Sequence, residues 1–296
     1  MTVDLEQISG KVAAGERLDA KDVDVVAATD DLLALGALAD ARRRQRHGDR
    51  VTFVRVLEVV LPDGTERPVP EIPASAGEVR LVGRPEGPEQ AIAAVRWIAA
   101  SSAEVPVTGF ALDDLADVCG GTIVALDALL TELRTAGLAR VAEARVERLD
   151  GPDWLQVADE AALPVARLTI GDPEDVDEMA LVRRVAGWGS DATVRVFAPL
   201  RRAVSLQSTT GYHDVRQVAL ARVLVDNIES IQVDWSLYGP KLAQVALTFG
   251  ADDVDAVSPF DSAEHGWRRA PREEITRNIR AAALVSVERN GRFEIR

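Results

Sequence analysis

The chain has 296 residues, a hydrophobic fraction of 47% with only 4% aromatics, and a formal net charge of −14 at a pI near 4.8. That length can bury a large aliphatic core in one barrel domain, and so acidic a chain repels phosphate backbones, which disfavours a nucleic-acid partner. Its single cysteine, Cys119, excludes an internal disulfide and a multi-cysteine metal site within the chain, and no run reaches the ~18 apolar residues of a membrane span.

The opening Met1-Thr2-Val3-Asp4-Leu5-Glu6 is acidic where a signal peptide is basic, so a cytoplasmic protein is expected. Residues 1–48 read as a helical extension. Asp19 caps one helix and Asp30 the next, whose apolar stripe includes Leu32, Leu35 and Leu38 and which Gly48 stops. The basic run Arg42-Arg43-Arg44-Gln45-Arg46 reads as solvated side chains complementing the dipole at that helix end.

Strands and helices then alternate. Residues 51–61 are rich in β-branched side chains, with a shift in their alternation. Pro62-Asp63-Gly64-Thr65 signals a turn and 68–77 an extended loop. Further strands are expected over 78–82, 105–110, 139–145, 165–170, 193–197, 230–235 and 254–257. Helices are expected over 87–100, 112–119, 123–136, 152–161, 176–186, 214–227, 240–249 and 272–282. Residues 284–289 and 292–296 would close the chain as a hairpin around Asn290-Gly291. About eight strand-then-helix units predict an α/β fold, a single (β/α) TIM-like barrel over 49–296. Because several strands are short, an open or distorted barrel is the alternative.

Two stretches carry a family resemblance. Gly15 to Phe53 reads GERLDAKDVDVVAATDDLLALGALADARRRQRHGDRVTF, and Val215 to Asp255 reads VRQVALARVLVDNIESIQVDWSLYGPKLAQVALTFGADDVD. They resemble the radical S-adenosylmethionine (SAM) group that includes aminofutalosine synthase, dehypoxanthine futalosine cyclase and deazaflavin-precursor synthase, with the aminofutalosine synthase branch nearest. The C-terminal signature region falls in 213–296, and Leu133 to Leu138 is a shorter match. The resemblance implies a radical SAM barrel acting in the futalosine route to menaquinone. It also implies a CxxxCxxC loop after the first barrel strand, whose three thiolates hold a 4Fe–4S cluster that SAM completes. Here that loop has no cysteine. The family's glycine-rich stretch reads Ala139-Arg140-Val141-Ala142-Glu143-Ala144, and the side chains of Ala139, Arg140 and Val141 are expected to block close approach of SAM. After Gly250-Ala251-Asp252-Asp253 the family's Gly-Thr and acidic pair are replaced by Ala256-Val257-Ser258-Pro259.

Little else points to chemistry. His47, His213 and His265 lack metal-ligand spacing and read as surface or capping residues. Cys119 reads as a small core residue. Gly120-Gly121-Thr122 opens a helix that could cradle an anion, and Asp252, Asp253 and Asp255 read as solvated turn residues. The resemblance places Asp226, Asn227, Gln232, Asp234 and Trp235 at the barrel mouth; with Asp252 and Asp253 they are the candidate ligand-binding residues. No catalytic residue is assigned, and no cofactor or metal is expected. The leading expectation is a non-catalytic, cluster-less radical-SAM-like protein. It would bind a nucleoside-type metabolite or a partner such as a cluster-bearing paralogue, in the context of menaquinone biosynthesis. The alternatives are a SAM-independent hydrolase or lyase built on a carboxylate pair such as Asp252 with Asp253, and a non-catalytic subunit of a heteromeric enzyme.

Overall fold

In the computed structural model, residues 5–61, 68, 70–102, 104–171, 177–189, 193–202, 211–261 and 271–296 are described. The expected turn at Pro62–Thr65 and His265 lie outside them. Three helices lead in: α1 (Leu5–Ala13), α2 (Ala20–Ala28) and α3 (Leu32–His47). The first half of the barrel comprises β1 (Arg50–Val60), β2 (Glu78–Val82), α4 (Pro88–Ser102), β3 (Val107–Ala111), α5 (Leu112–Val118), α6 (Ile123–Ala136), β4 (Leu138–Arg145) and α7 (Asp153–Glu160). The second comprises β5 (Arg167–Ile170), α8 (Glu178–Gly187), β6 (Val196–Arg201), α9 (Gly211–Leu224), β7 (Ser230–Asp234), α10 (Trp235–Thr248), β8 (Asp253–Val257), α11 (Pro271–Ala281) and β9 (Val285–Arg289).

All strand ladders are parallel and run in the order β2-β3-β4-β5-β6-β7-β8-β1, and a β1–β2 pairing closes the ring. Strand β1 is long enough to serve three partners. One edge pairs with β8, with a register shift between Phe53 and Arg55 that accounts for the broken alternation. The other edge pairs with β2 over Val56–Val60 and with β9 over Arg50–Val54. Strand β9 therefore lies beneath the short β2 and continues it toward the N-terminal end of the barrel, with Gly291 N–H donating to the Gly77 carbonyl at 3.0 Å.

Between the strands and the surrounding helices lies one continuous aliphatic layer, drawn from outward strand positions such as Val79, Leu81, Leu168, Ile231 and Val254. The helix caps follow from side-chain oxygens finding free amides. Asp19 accepts from Asp22 N–H in a reciprocal capping box. Asp31, not Asp30, caps α3, because its carboxylate reaches Ala34 N–H at 3.0 Å. Asp234 caps α10, so that helix begins at Trp235, before the expected start at Pro240, and breaks at Gly239-Pro240. Strand β6 starts later than expected because Val196 is the residue level with Arg167 of β5. The C-terminal hairpin turns through residues 290–294, wider than Asn290-Gly291, with Asn290 accepting from Arg292 and Glu294 N–H. Its return is a single bridge, Ile295 to Arg289.

The basic run of α3 is not the solvated patch expected. Arg43 is fully buried, donating to Asp40 and to the Gly48 carbonyl, and Arg46 donates to the Ile228 carbonyl at 2.7 Å. The Arg43 bonds hold the C-terminal turn of α3, and the Arg46 bond ties the helix to the barrel. Its close approach depends on Gly36, where an added Cβ would lie 2.6 Å from the Phe249 ring. Gly36→Val is expected to destabilise the protein by about 1–3 kcal/mol through overpacking. A lowered urea midpoint with an unchanged m value would show it; an unchanged midpoint would contradict this docking.

Candidate functional site

Strand polarity sets the character of the barrel interior. Successive strand residues point to opposite faces. In β2, β5, β7 and β8 the outward positions are apolar, while the alternate ones read Glu78 and Arg80, Arg167 and Thr169, Gln232 and Asp234, Asp253 and Asp255. TIM barrels usually fill this volume with branched aliphatics. Here charged side chains fill it.

The network has two levels. At the centre, Asp255 accepts two bonds from Arg80, at 2.8 and 2.9 Å, and another from Arg167. Strands β5 and β8 are not neighbours, so the Arg167 contact crosses the lumen. Arg80 also donates to Glu78 at 2.7 Å, which accepts from Thr108 at 2.6 Å. Toward the C-terminal mouth, Glu143 of β4 bridges Arg167 at 3.4 Å and Arg202 at 3.3 Å, and Arg202 reaches Asp234 at 3.2 Å. Nearer the N-terminal end, Asp253 accepts from both ends of the Arg289 guanidinium, at 2.7 and 2.6 Å, and from Gln232 and Thr52. Burial pushes the Asp255 carboxyl up, but Arg167 and Arg80 outweigh it and hold it far below the usual carboxylate range. Glu143 is lowered likewise: its burial is outweighed by Arg167 and Arg202.

Two polar atoms on β5 are left over. Among the described residues, Arg167 Nε and Thr169 Oγ1 are buried without a hydrogen-bond partner. Both residues are on the lumen-facing side of the strand.

The residues singled out from sequence divide between the two ends. Gln232, Asp234 and Asp253 face the lumen. Trp235, half-buried, starts α10 at the mouth end of β7. Asp226 and Asn227 lie instead in the connection from α9 into β7, at the N-terminal end. There Asp226 pairs with Arg17 at 3.2 Å, and Asn227 donates to the carbonyls of Val185, in the last turn of α8, and of Gly189 just after it. Asp252, Asp253 and Asp255 are buried ion-pair partners rather than solvated turn residues. Asp252 points away from Asp253 and is held by Arg222 and by His47, at 3.2 Å. Asp252 and Asp253 therefore do not form the carboxylate pair offered as the example for a hydrolase or lyase. Ala139-Arg140-Val141 lies at the N-terminal start of β4, while Glu143 and Ala144 of the same stretch lie toward its mouth end. Arg80, Glu143, Arg167, Thr169 and Arg202 were missed; for all but Arg202, which follows the end of β6, the signal is polar residues at every second position of buried strands.

A 4Fe–4S cluster does not fit the thiol present. Cys119 caps the C-terminus of α5, after β3 rather than β1, and its Sγ donates to the Ala116 carbonyl at 3.3 Å. Burial pushes its thiol pKa up, opposite to what a metal-binding thiolate needs. Among the described residues, no group of three His, Cys, Asp or Glu side chains is placed to hold a metal ion, and no helix is long and apolar enough to cross a membrane.

The fold and this lumen define a closed, parallel (β/α) barrel of the kind seen in methylornithine synthase. That structure superposes with a TM-score of 0.66 at 14% identity over 94% of this chain and 97% of its own. The hydrogenase maturase HydG superposes with a TM-score of 0.65 at 11% identity, over 97% of this chain and 76% of its own. Residues 188–296 match the CofH/MqnC C-terminal region. The aminodeoxyfutalosine synthase of Streptomyces coelicolor is 37% identical over 30% of this chain and 24% of its own length. That of Thermus thermophilus is 26% identical over 97% of this chain and 94% of its own. The 5-amino-6-(D-ribitylamino)uracil–L-tyrosine 4-hydroxyphenyl transferase of Methanothermobacter thermautotrophicus is 30% identical over 40% of this chain and 36% of its own. The matches to the Streptomyces and Methanothermobacter proteins thus span well under half of those proteins. The chain is a relative of the group that contains these synthases and transferases.

The network makes acid stability specific. A carboxyl whose folded pKa lies below its unfolded value stabilises fully above the usual range, about pH 4, and loses that contribution as pH falls toward the folded value. Asp255→Asn leaves Arg80 and Arg167 under-compensated and is expected to cost about 3–5 kcal/mol at neutral pH. Stability should also fall less steeply below about pH 4 than in the parent. Urea titrations across pH would read both effects; a neutral-pH loss below about 1 kcal/mol would contradict the pairing.

Proposed function

We propose that this chain is a non-catalytic, cluster-less relative of the futalosine-route radical SAM enzymes. In this reading it binds a nucleoside-type metabolite at the C-terminal mouth of its barrel, alone or beside a cluster-bearing paralogue, in the context of menaquinone biosynthesis. One observation carries the reading. The lone thiol is spent on an outer helix, on a carbonyl of its own turn, while three thiolates are needed on the connection after β1. The polar lumen supports the binding half. Buried polar atoms in native folds nearly always have a partner, and Arg167 Nε and Thr169 Oγ1 lack one. A ligand entering from the mouth would satisfy them, with Glu143 and Arg202 bordering it and Trp235, which packs against the core, at the mouth end of β7. The pathway context rests on the relatives alone, since one fold serves many functions.

Calorimetry with SAM, and separately with a futalosine-type nucleoside, tests the proposal. SAM is expected not to bind, and the nucleoside to bind. Thr169→Val should weaken nucleoside binding roughly 2–10-fold, the value of one hydrogen bond, and Trp235→Ala should weaken it further. Micromolar SAM binding would defeat the non-catalytic reading, and a silent nucleoside titration would defeat the metabolite reading.

A further inference from the structure

At the N-terminal end of the barrel the charges do not balance. Phe293, on the return segment after β9, lies beneath three guanidiniums, those of Arg289, Arg140 and Arg195, at 4.3, 5.2 and 5.3 Å from the ring centroid. Arg140 comes from β4, Arg195 from just before β6 and Arg289 from the end of β9, so three elements deliver positive charge to one ring. Arg50, at the start of β1, lines the adjoining cleft, and Arg292 adds its field at Arg140.

Two of these five arginines have carboxylate partners. Arg289 holds Asp253, and Arg195 pairs with Glu229 at 2.9 Å. The remaining acid of the cleft, Asp252, is occupied by Arg222 and His47. Arg50, Arg140 and Arg292 form no ion pair with a described carboxylate. Three of the positive charges thus have no ion-pair partner among the described residues, Arg140 having only the more distant field of Asp159, in a chain whose net charge is −14. The quadrupole of Phe293 attracts the guanidiniums but neutralises none of them. Burial first, and then the field of Arg195, pulls Arg140 below its ordinary pKa. The cleft encloses about 220 Å³ and is walled by Arg50, Arg195, Arg289, His47 and Ile295, among others.

We infer that this cleft binds a small, multiply charged oxyanion, a diphosphate group or a polycarboxylate, through Arg50 and Arg195 of its wall, with Arg140, stacked on the Phe293 ring that lines it, and Arg292 adding their positive field. Guanidinium forks match the paired oxygens of both classes. The site is at the opposite end of the barrel from the mouth and does not depend on the function proposed above.

Calorimetry on the full chain at low ionic strength, with inorganic pyrophosphate and separately with citrate, is the test. At least one should bind saturably and more weakly as salt is added. The Arg140→Gln/Arg195→Gln double variant should lose at least tenfold in affinity, and Arg50→Gln, an exposed position, severalfold. Arg183→Gln, which removes a surface pair between α8 and Asp24, should change nothing. Circular dichroism checks that each variant is folded, and Arg50→Gln keeps the test decisive if the double variant unfolds. Pyrophosphate alone would identify a phosphoryl ligand, citrate alone a polycarboxylate; either result supports the site. No saturable binding of either anion, or affinity unchanged in the folded variants, would overturn it.

Discussion

Asp255 is the constraint around which the barrel is organised. It lies on β8, takes Arg80 from β2 and Arg167 from β5, and is fully buried. No local structure could bring those three strands together. Only a closed ring does, and an open sheet would leave a buried guanidinium or carboxylate without a partner, at a cost of several kcal/mol. Closure and charge pairing therefore require each other. The drive to fold comes from elsewhere, from the aliphatic layer between strands and helices. Buried ion pairs of this kind are weak evidence for stability, because desolvation offsets much of their attraction. What they impose is register: a slip of one residue in any of these strands would turn its charges into the apolar layer.

The two ends of the barrel have different chemistry as a result. At the mouth, Glu143 and Arg202 continue the network outward, and Thr169 keeps a buried hydroxyl with no partner. At the other end, β9 pairs with β1 beneath β2, and the segment after it brings Phe293 under a group of arginines. The helical lead-in is attached at that same end, through Arg46 to the Ile228 carbonyl and His47 to Asp252. The sole thiol takes part in neither end.

Much of the fold was legible in the sequence because helix stops and caps are local. Gly137 ends α6 in a left-handed conformation and Thr122 starts it, and both are readable as single residues. Asp30 was read for Asp31 because either carboxylate can reach a first-turn amide, and only backbone geometry decides between them. The lumen was harder. Charged residues in a strand normally indicate solvent, so Asp252, Asp253 and Asp255 read as a turn. The alternation in Arg167-Leu168-Thr169-Ile170 and in Ser230-Ile231-Gln232-Val233-Asp234 was visible, but nothing local says that both faces of those strands are covered. Asp226 and Asn227 were assigned to the mouth through resemblance. Their position before β7, not after it, places them at the opposite end.

On the proposed reading this chain, whose one thiol lies at the end of α5, holds no iron–sulfur cluster. Anaerobic reconstitution with iron and sulfide, followed by desalting and metal analysis, tests it most directly. The account predicts a colourless protein with no stoichiometric iron or sulfide and no added visible absorption. Stoichiometric iron and sulfide retained by the monomer, with the absorption of a 4Fe–4S centre, would contradict it.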